Sequence, residues 1–305
     1  MSKVAAVVVT YNRAELLKEC LASLQGQSAP CDILVVDNHS TDGTGEWLAA
    51  YAAEHENMRF FSLPENIGGA GGFNFGMRRA VEEGFEYVWL MDDDCLPHPD
   101  ALEKLLEADE ILHGEYGWLS SAALWTDGKE CKMNRQKLRK NYYEQMELVQ
   151  YGLVAAEQAT FVSCFLRAET VREAGLPIKD FFIWGDDIEY TRRIAVRMQK
   201  RSYLCGQSVV VHAMANNDGS SIAKDAPERI DRYNYAFRNE NYLYRKEGFK
   251  GFCYYFAKCG VNGLRVLANA ENHRAKRCGV IVKQFFGGLF FAPEIEYVGE
   301  KEHEV

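Results

Sequence analysis

The chain has 305 residues, of which 47% are hydrophobic, 26% charged and 12% aromatic. That composition excludes a disordered chain, a collagen-like chain and a coiled-coil rod, and the length suits one large α/β domain with an appendage or two ordinary domains. Thirty-five Lys and Arg against 44 Asp and Glu give a net charge of −9, which argues against nucleic acid as a partner. The charge is uneven: residues 1–228 carry 22 basic and 35 acidic side chains, residues 229–291 carry 12 and 4, and the last fourteen carry 1 and 5.

Val4–Thr10 (VAAVVVT) is a short β-branched apolar run, the pattern of a strand buried on both faces in a parallel sheet. Apolar residues at 16, 17, 21 and 24 then predict a helix over Glu15–Leu24. Ile33–Val36 reads as a second strand, Glu46–Glu54 as a helix, Met58–Leu63 as a third strand and Gly72–Glu83 as a helix. Tyr87–Met91 is a fourth strand and Pro99–Leu112 another helix. Four strand–helix alternations predict an open, mostly parallel α/β sheet, in which ligands bind at the carboxyl ends of the strands. Beyond residue 115 the pattern loosens: Ala159–Leu166 and Ser208–His212 read as strands and Asp186–Gln199 as a helix. From 229 onward the chain is basic, aromatic and expected to be helical, and the terminal EIEYVGEKEHEV is expected to fray.

Polar residues cluster after each predicted strand. Thr10-Tyr11-Asn12-Arg13 follows the first, Asp37 opens DNHSTDG after the second, Asn66-Ile67-Gly68-Gly69-Ala70-Gly71-Gly72 follows the third and Asp92-Asp93-Asp94 the fourth. Three adjacent carboxylates repel one another, so this placement calls for a compensating cation, Mg2+ or Mn2+ by preference for oxygen ligands. A solvated acidic turn is the alternative. The glycine-rich stretch could offer backbone N–H groups to phosphate or sugar oxygens, or simply join strand to helix. It lacks the GK[ST] of a P-loop, and Asn74 stands where GxGxxG needs its last glycine. Asp37 could accept from a base or ribose, or serve as a turn residue. Asp186-Asp187-Ile188-Glu189 follows Phe181-Phe182-Ile183-Trp184-Gly185, so these acids could cap a helix, or supply a general base beside an aromatic sugar-binding wall. His212, ending SVVVH, is either structural or a ligand completing a carboxylate-rich metal site.

Nine cysteines, an odd number without CxxC or zinc-finger spacing, read as reduced thiols. The N-terminal apolar run is too short for a signal peptide, and no window approaches the roughly 20 apolar residues of a membrane span. A cytoplasmic protein is expected.

VVVTYNR, VVDNHSTDGT, NIGGAGGFNFG, MDDD, WGDDIEY and VVVH, in this order across residues 4–212, resemble the family 2 glycosyltransferases of the GT-A fold. NIGGAGGF followed by a triple Asp is most similar to the galactofuranosyltransferase branch, with rhamnosyltransferases close by. The resemblance implies an inverting transfer of a sugar from a nucleotide diphosphate to an acceptor hydroxyl, dependent on Mn2+ or Mg2+. It implies a catalytic domain over 1–228, with a nucleotide-binding half at 1–95 and an acceptor half at 96–228, followed by a C-terminal helical region at 229–305. Carried onto this sequence, Thr10, Tyr11, Asn12, Arg13 and Asp37 would line the nucleotide pocket, with Asn66, Gly69, Gly71, Gly72, Asp92 and Asp93 on the nucleotide and donor sugar. Asp94 and His212 would hold the metal, Asp187 or Asp186 would be the base, and Trp184 and Glu189 would meet the acceptor. Gly185, between Trp184 and the acids, departs from the branch pattern and leaves the choice of base open.

UDP-galactofuranose is the implied donor, with dTDP-rhamnose or another UDP-hexose as the alternative, and the acceptor a glycan or lipid-linked glycan of a surface polysaccharide. From a different class, a metal-dependent nucleotide phosphohydrolase would also use a triple Asp, but it has no need of the TYNR and DNHSTDG segments. Ten aromatics interleave with Arg and Lys between 229 and 256, and GVIVKQFFGGLFF at 279–291 is strongly apolar. This region is expected to touch either the inner face of a membrane or protein, the catalytic core or a second protomer.

Overall fold

Residues 3–299 are described by a computed structural model. The N-terminal half alternates as β1 (Val4–Thr10), α1 (Ala14–Gln25), β2 (Asp32–Asp37), α2 (Thr44–Glu54), β3 (Met58–Ser62), α3 (Gly68–Glu82) and β4 (Tyr87–Asp92). It continues as β5 (Cys95–Pro97), α4 (Ala101–Ile111), β6 (Leu119–Trp125), β7 (Lys137–Leu138), α5 (Met146–Val149), β8 (Leu153–Gln158), β9 (Cys164–Arg167), α6 (Ala168–Ala174), α7 (Asp186–Arg192) and β10 (Tyr203–His212). Three helices close the chain: α8 (Tyr233–Lys246), α9 (Phe249–Asn269) and α10 (Arg274–Phe290).

The ten strands form one sheet in the order β3-β2-β1-β4-β9-β6-β10-β8-β7, with β5 paired to β10. β3, β2, β1 and β4 are mutually parallel, because each is joined to the next by a helix that crosses over the sheet. All seven residues of β1 are buried, and they alternate between two cores. Val4, Ala6 and Val8 pack with Leu17, Leu21 and Leu105 on one face, while Ala5, Val7 and Val9 meet Phe73, Met77 and Ala80 of α3 on the other. β9 runs antiparallel between β4 and β6, and β10 is parallel to β6, so β10 ends at the same sheet edge as β4. β5 then pairs antiparallel with β10 in a register that sets Cys95 opposite His212, which turns the triple Asp toward that histidine.

Several expectations need correction. Gly68–Gly72 is not a loop but the first turns of α3. The strand expected over Ala159–Leu166 is confined to Cys164–Arg167, and β8 precedes it. The helix expected over Asp186–Gln199 stops as an α-helix at Arg192 and continues in a wider π turn over Arg193–Arg197, where Arg193 turns its guanidinium onto the carbonyls of Ala174 and Leu176. Nor is the start of the acidic tail frayed. Glu296 pairs with Arg78 and Lys179 and accepts the Leu176 N–H at its carbonyl, so residues 295–298 lie against α3 and the end of α6; 300–305 fall outside the described residues.

The three C-terminal helices have their own core, in which Tyr233, Phe237, Tyr255, Val266, Val280 and Ile281 pack together. All nine cysteines are free. Among the described residues no helix is long and apolar enough to cross a membrane.

Candidate active site

The carboxyl edge of the sheet gathers most of the polar residues singled out from sequence. β4 delivers Asp92, Asp93 and Asp94, and β10 delivers His212; ligand atoms of Asp92, Asp94 and His212 lie within 4.8 Å of one another. His212 Nε2 is 2.9 Å from Asp94 Oδ1, and its Nδ1 is 2.7 Å from Asn134 Oδ1. An amide oxygen only accepts, so Nδ1 carries a hydrogen and Nε2 is the atom turned toward the carboxylates. Asn134 is itself held by its amide group, which donates to Thr160 Oγ1.

Charge in this cluster is unevenly distributed. Burial pushes Asp93 up to about 6, and burial plus repulsion from Asp94 pushes Asp92 to about 7. Burial also works against Asp94, but His212 and Arg13 hold its carboxyl below the usual value. Burial disfavours a charged His212 ring, and the Asp94 carboxylate outweighs it, lifting the imidazole to about 10. Arg13 Nη1 bridges Asp93 Oδ1 at 3.1 Å and Asp94 Oδ2 at 2.9 Å. The donor set fits a divalent cation: two carboxylates and an imidazole converge, Nδ1–H on Asn134 fixes the tautomer, and a metal in place of the Nε2 proton would exchange the hydrogen bond to Asp94 for a shared cation while leaving the Asn134 contact intact.

The neighbouring loops are braced by side chains expected to contact ligand. Thr10 is 1% exposed and donates to Asp93 Oδ2 at 2.7 Å, so its hydroxyl positions an acid and does not line an open pocket. Asn12, at φ 53°, accepts the Thr41 N–H, tying the β1 loop to the β2 loop. Asp37 is buried and accepts the Ser40 N–H. Asn66 accepts from Asn38 and from the Gly68 N–H. Tyr11 and Arg13 remain half exposed at the mouth of the cleft.

The glycines serve close packing as well. A Cβ on Gly72 would lie 2.5 Å from Val9 Cγ1, one on Gly71 would strike Ile67, and one on Gly68 would collide with the Phe182 carbonyl. That carbonyl accepts the Ala70 N–H at 3.1 Å, so one donor of the expected phosphate cradle is already taken. Gly69 faces open space.

Asp186 and Asp187 begin α7 after Gly185, whose φ of 89° suits glycine. Burial lifts Asp186 to about 6; it pushes Asp187 well above the usual carboxylate range, with Asp186 and Asp92 adding repulsion. Asp187 is thus within electrostatic reach of the triple Asp. The preceding residues are strained: Phe182 and Trp184 hold φ of 61° and 65°. The Trp184 ring meets Tyr233 edge-on at 5.1 Å with Arg229 5.8 Å above it, so this expected acceptor wall is shared with the C-terminal helices.

Glu189 does not join the cleft. It is 1% exposed and grips Arg193 through contacts of 2.6–3.1 Å. An i,i+4 spacing allows that pair, and burial makes it obligatory, since neither charge could stand there alone.

Sequence reasoning missed Asn134 and Asn239. Asn239, on α8 and fully buried, sets its amide nitrogen 3.0, 3.3 and 2.8 Å from the carbonyl oxygens of Phe181, Ile183 and Trp184. No motif marks either residue. The only signal for Asn239 is an uncharged polar side chain on the inner face of an amphipathic helix.

A mostly parallel sheet whose buried strands end in a divalent-cation set, facing a second acidic pair on a helix N-terminus, is the arrangement of a GT-A glycosyltransferase. Solved structures share that fold. A mannosyltransferase of Pyrobaculum calidifontis, in complex with GDP-Man and Mn2+, superposes with a TM-score of 0.59 at 20% identity, covering 95% of this chain and 87% of its own. GalNAc-T7 with UDP, GalNAc and Mn2+ gives 0.66 at 13% identity, covering 95% and 56%. Residues 5–115 match the sequence model described as Glycosyl transferase family 2. Galactofuranosyltransferase GlfT1 of Mycolicibacterium smegmatis is 25% identical over 259 residues, 81% of this chain and 84% of the relative. An undecaprenyl-phosphate mannosyltransferase of Micrococcus luteus is 35% identical over 106 residues, 35% of this chain and 44% of the relative. Residues 5–115 thus form a Glycosyl transferase family 2 domain, and the chain is a transferase.

Proposed function

We propose that this glycosyltransferase moves galactofuranose from UDP-galactofuranose, with inversion, to a hydroxyl of a glycan or lipid-linked glycan in surface polysaccharide synthesis, at the cytoplasmic face of a membrane. The observation that carries the reaction is the facing of two acidic groups: Asp92, Asp94 and His212 on the sheet edge, and Asp187 on α7, close enough for Asp92 to raise its proton affinity. The extended similarity to a galactofuranosyltransferase supports the donor.

In this reading residues 1–228 form the catalytic domain, 1–95 serving the nucleotide and 96–228 the acceptor, and 229–305 is a separate C-terminal region whose helices α8–α10 brace it. Asp94 and His212, with Asp92 beside them, would hold Mn2+ or Mg2+, which supplies positive charge against the departing diphosphate. Asp93 is oriented by Thr10 and Arg13. Tyr11, Arg13 and Asp37 surround the nucleotide, and the N-terminal turn of α3 at Gly69 approaches the donor sugar. Asp187 takes the proton of the acceptor hydroxyl as its oxygen bonds to the anomeric carbon and the bond to UDP breaks. Asp186 keeps Asp187 basic by repulsion, and Trp184 walls the acceptor side. A single displacement requires no covalent enzyme nucleophile: Cys20 and Cys95 are buried with thiols pushed far from ionisation, and Cys131, buried against His212, donates its thiol to Asn134 Oδ1.

The test is a melting panel with UDP-galactofuranose, dTDP-rhamnose and GDP-mannose, each with and without Mn2+, followed by mass spectrometry of products. Metal-dependent stabilisation by the UDP-sugar is expected, since a ligand bound only by the folded state raises its stability. Stabilisation by dTDP- or GDP-sugar alone overturns the donor assignment, and no shift from any of them overturns the whole reading.

A further inference from the structure

α9 is apolar on both sides. Tyr255, Cys259 and Val266 face the helical core, while Phe249, Phe256, Leu264 and Leu267 point outward with exposures of 80%, 63%, 68% and 59%. A helix of this kind is ordinarily buried all round, yet nothing among the described residues covers the outer half. Twenty-one residues make a stripe about 31 Å long at 1.5 Å per residue. α10 widens it with Val282, Phe286 and Phe290, spaced four apart. Phe285 joins the two rows, its ring 5.8 Å from Phe256 and 5.3 Å from Phe286.

Charge decides what fits this face. Across residues 249–290 there are seven Lys and Arg and a single acid, Glu271, in the turn between the helices. Lys258 and Lys276 pair with Glu240 and Asp231, and Arg277 is buried against backbone carbonyls. Lys250, Arg265 and Lys283 have no carboxylate partner among the described residues. A second copy docked on this face by a twofold axis would set these cations against their own equivalents. A bilayer containing anionic lipid offers both an apolar boundary for the Phe and Leu side chains and negative headgroups for the Lys and Arg.

We propose that the outer face of the α9–α10 hairpin lies flat on an anionic lipid surface, with Phe249, Phe256, Leu264, Phe286 and Phe290 sunk into the headgroup boundary. Among the described residues no helix is long and apolar enough to span the bilayer; this hairpin rests on it. The placement also serves the site. Arg265 and Asn269 of α9 wall a cavity of about 740 Å³ with Arg229, Lys224 and Asn216, on the segment that leaves His212. A lipid-linked acceptor held in the same surface would then present its polar head beside the cleft, a corollary that rests on the function proposed above.

The test is flotation of the full-length chain with phosphatidylcholine vesicles, with and without phosphatidylglycerol, at low and high salt. It uses no sugar donor, so its failure leaves the proposed transfer reaction standing. Binding is expected to the phosphatidylglycerol vesicles at low salt and to weaken as salt rises. Phe256→Glu with Leu264→Glu is expected to weaken it by about tenfold or more, with melting and the donor-induced shift unchanged because both side chains are exposed. Lys250→Glu with Lys283→Glu should also weaken binding, and only to the anionic vesicles. Absence of flotation at low salt overturns the proposal, as does flotation that both double variants retain. A dimer in sedimentation velocity that Phe256→Glu with Leu264→Glu disperses, without vesicle binding, makes the face an interface between copies and equally overturns it.

Discussion

Asn239→Ala separates the C-terminal helices' structural role from their part in the reaction. The Asn239 amide faces three carbonyls of the segment that carries Trp184 and leads into Asp186 and Asp187. Its two N–H groups satisfy at least two of them, and a buried carbonyl left without a donor costs about 1–3 kcal/mol. The loss is therefore about 2–6 kcal/mol. The segment holds two non-glycine residues, Phe182 and Trp184, in the left-handed region, a strain of roughly 1–2 kcal/mol each. Anchor and strain are of similar size, so without the amide the segment relaxes and the acids leave their positions in most molecules. The expected result is a melting temperature lower by about 5–10 °C. At a temperature where the variant is folded, kcat should fall about tenfold to hundredfold at 1.4 kcal/mol per power of ten, with the metal-dependent donor shift retained. Asn239→Asp, which keeps the volume but cannot donate, should do no better. Transfer at the wild-type kcat in a variant that melts lower would refute the reasoning, because Asn239 would then serve folding alone.

Asp187→Asn is expected to keep donor binding and to lose transfer by about 10²–10⁴-fold in single-turnover assays; a near-normal rate would move the base to Asp186. The same variant should melt higher at pH 8, because burial raises the Asp187 carboxyl and the folded state is penalised as it ionises, a cost that an amide does not incur. Asp94→Asn should abolish the stabilisation by Mn2+ in melting curves, whereas a retained shift would remove Asp94 from the metal set. Divalent-cation affinity measured by calorimetry should rise between pH 5.5 and 8. Asp93 and Asp92 hold protons up to about 6 and 7 and His212 up to about 10, so binding releases protons; affinity that falls with pH would contradict this sign. Gly72→Ala sets a methyl 2.5 Å from Val9 Cγ1 and should lower stability by about 1–3 kcal/mol in urea unfolding.

The sequence by itself determined the parallel half of the sheet and its polar edge. Strands buried on both faces must be continuous apolar runs, so β1, β2 and β4 are visible as VAAVVVT, ILVV and YVWLM, and the polar residues that stop them are visible with them. Only the tertiary structure decided which polar residues face the cleft and which serve the fold. Glu189 and Asp187 stand two residues apart in one acidic cluster, yet helical geometry sends Glu189 inward to Arg193 and leaves Asp187 at the start of α7, its carboxylate on the Ile188 N–H and within electrostatic reach of Asp92. The glycines of NIGGAGG read as a flexible cradle, but packing of α3 on Val9 and Phe182 accounts for Gly72 and Gly68, and the Ile67 side chain for Gly71. Asn134 and Asn239 carry no local signal, because each acts across more than fifty residues on a partner that only folding brings near. Local pattern records burial and period. The pairing of a donor with a distant acceptor is a property of the assembled molecule.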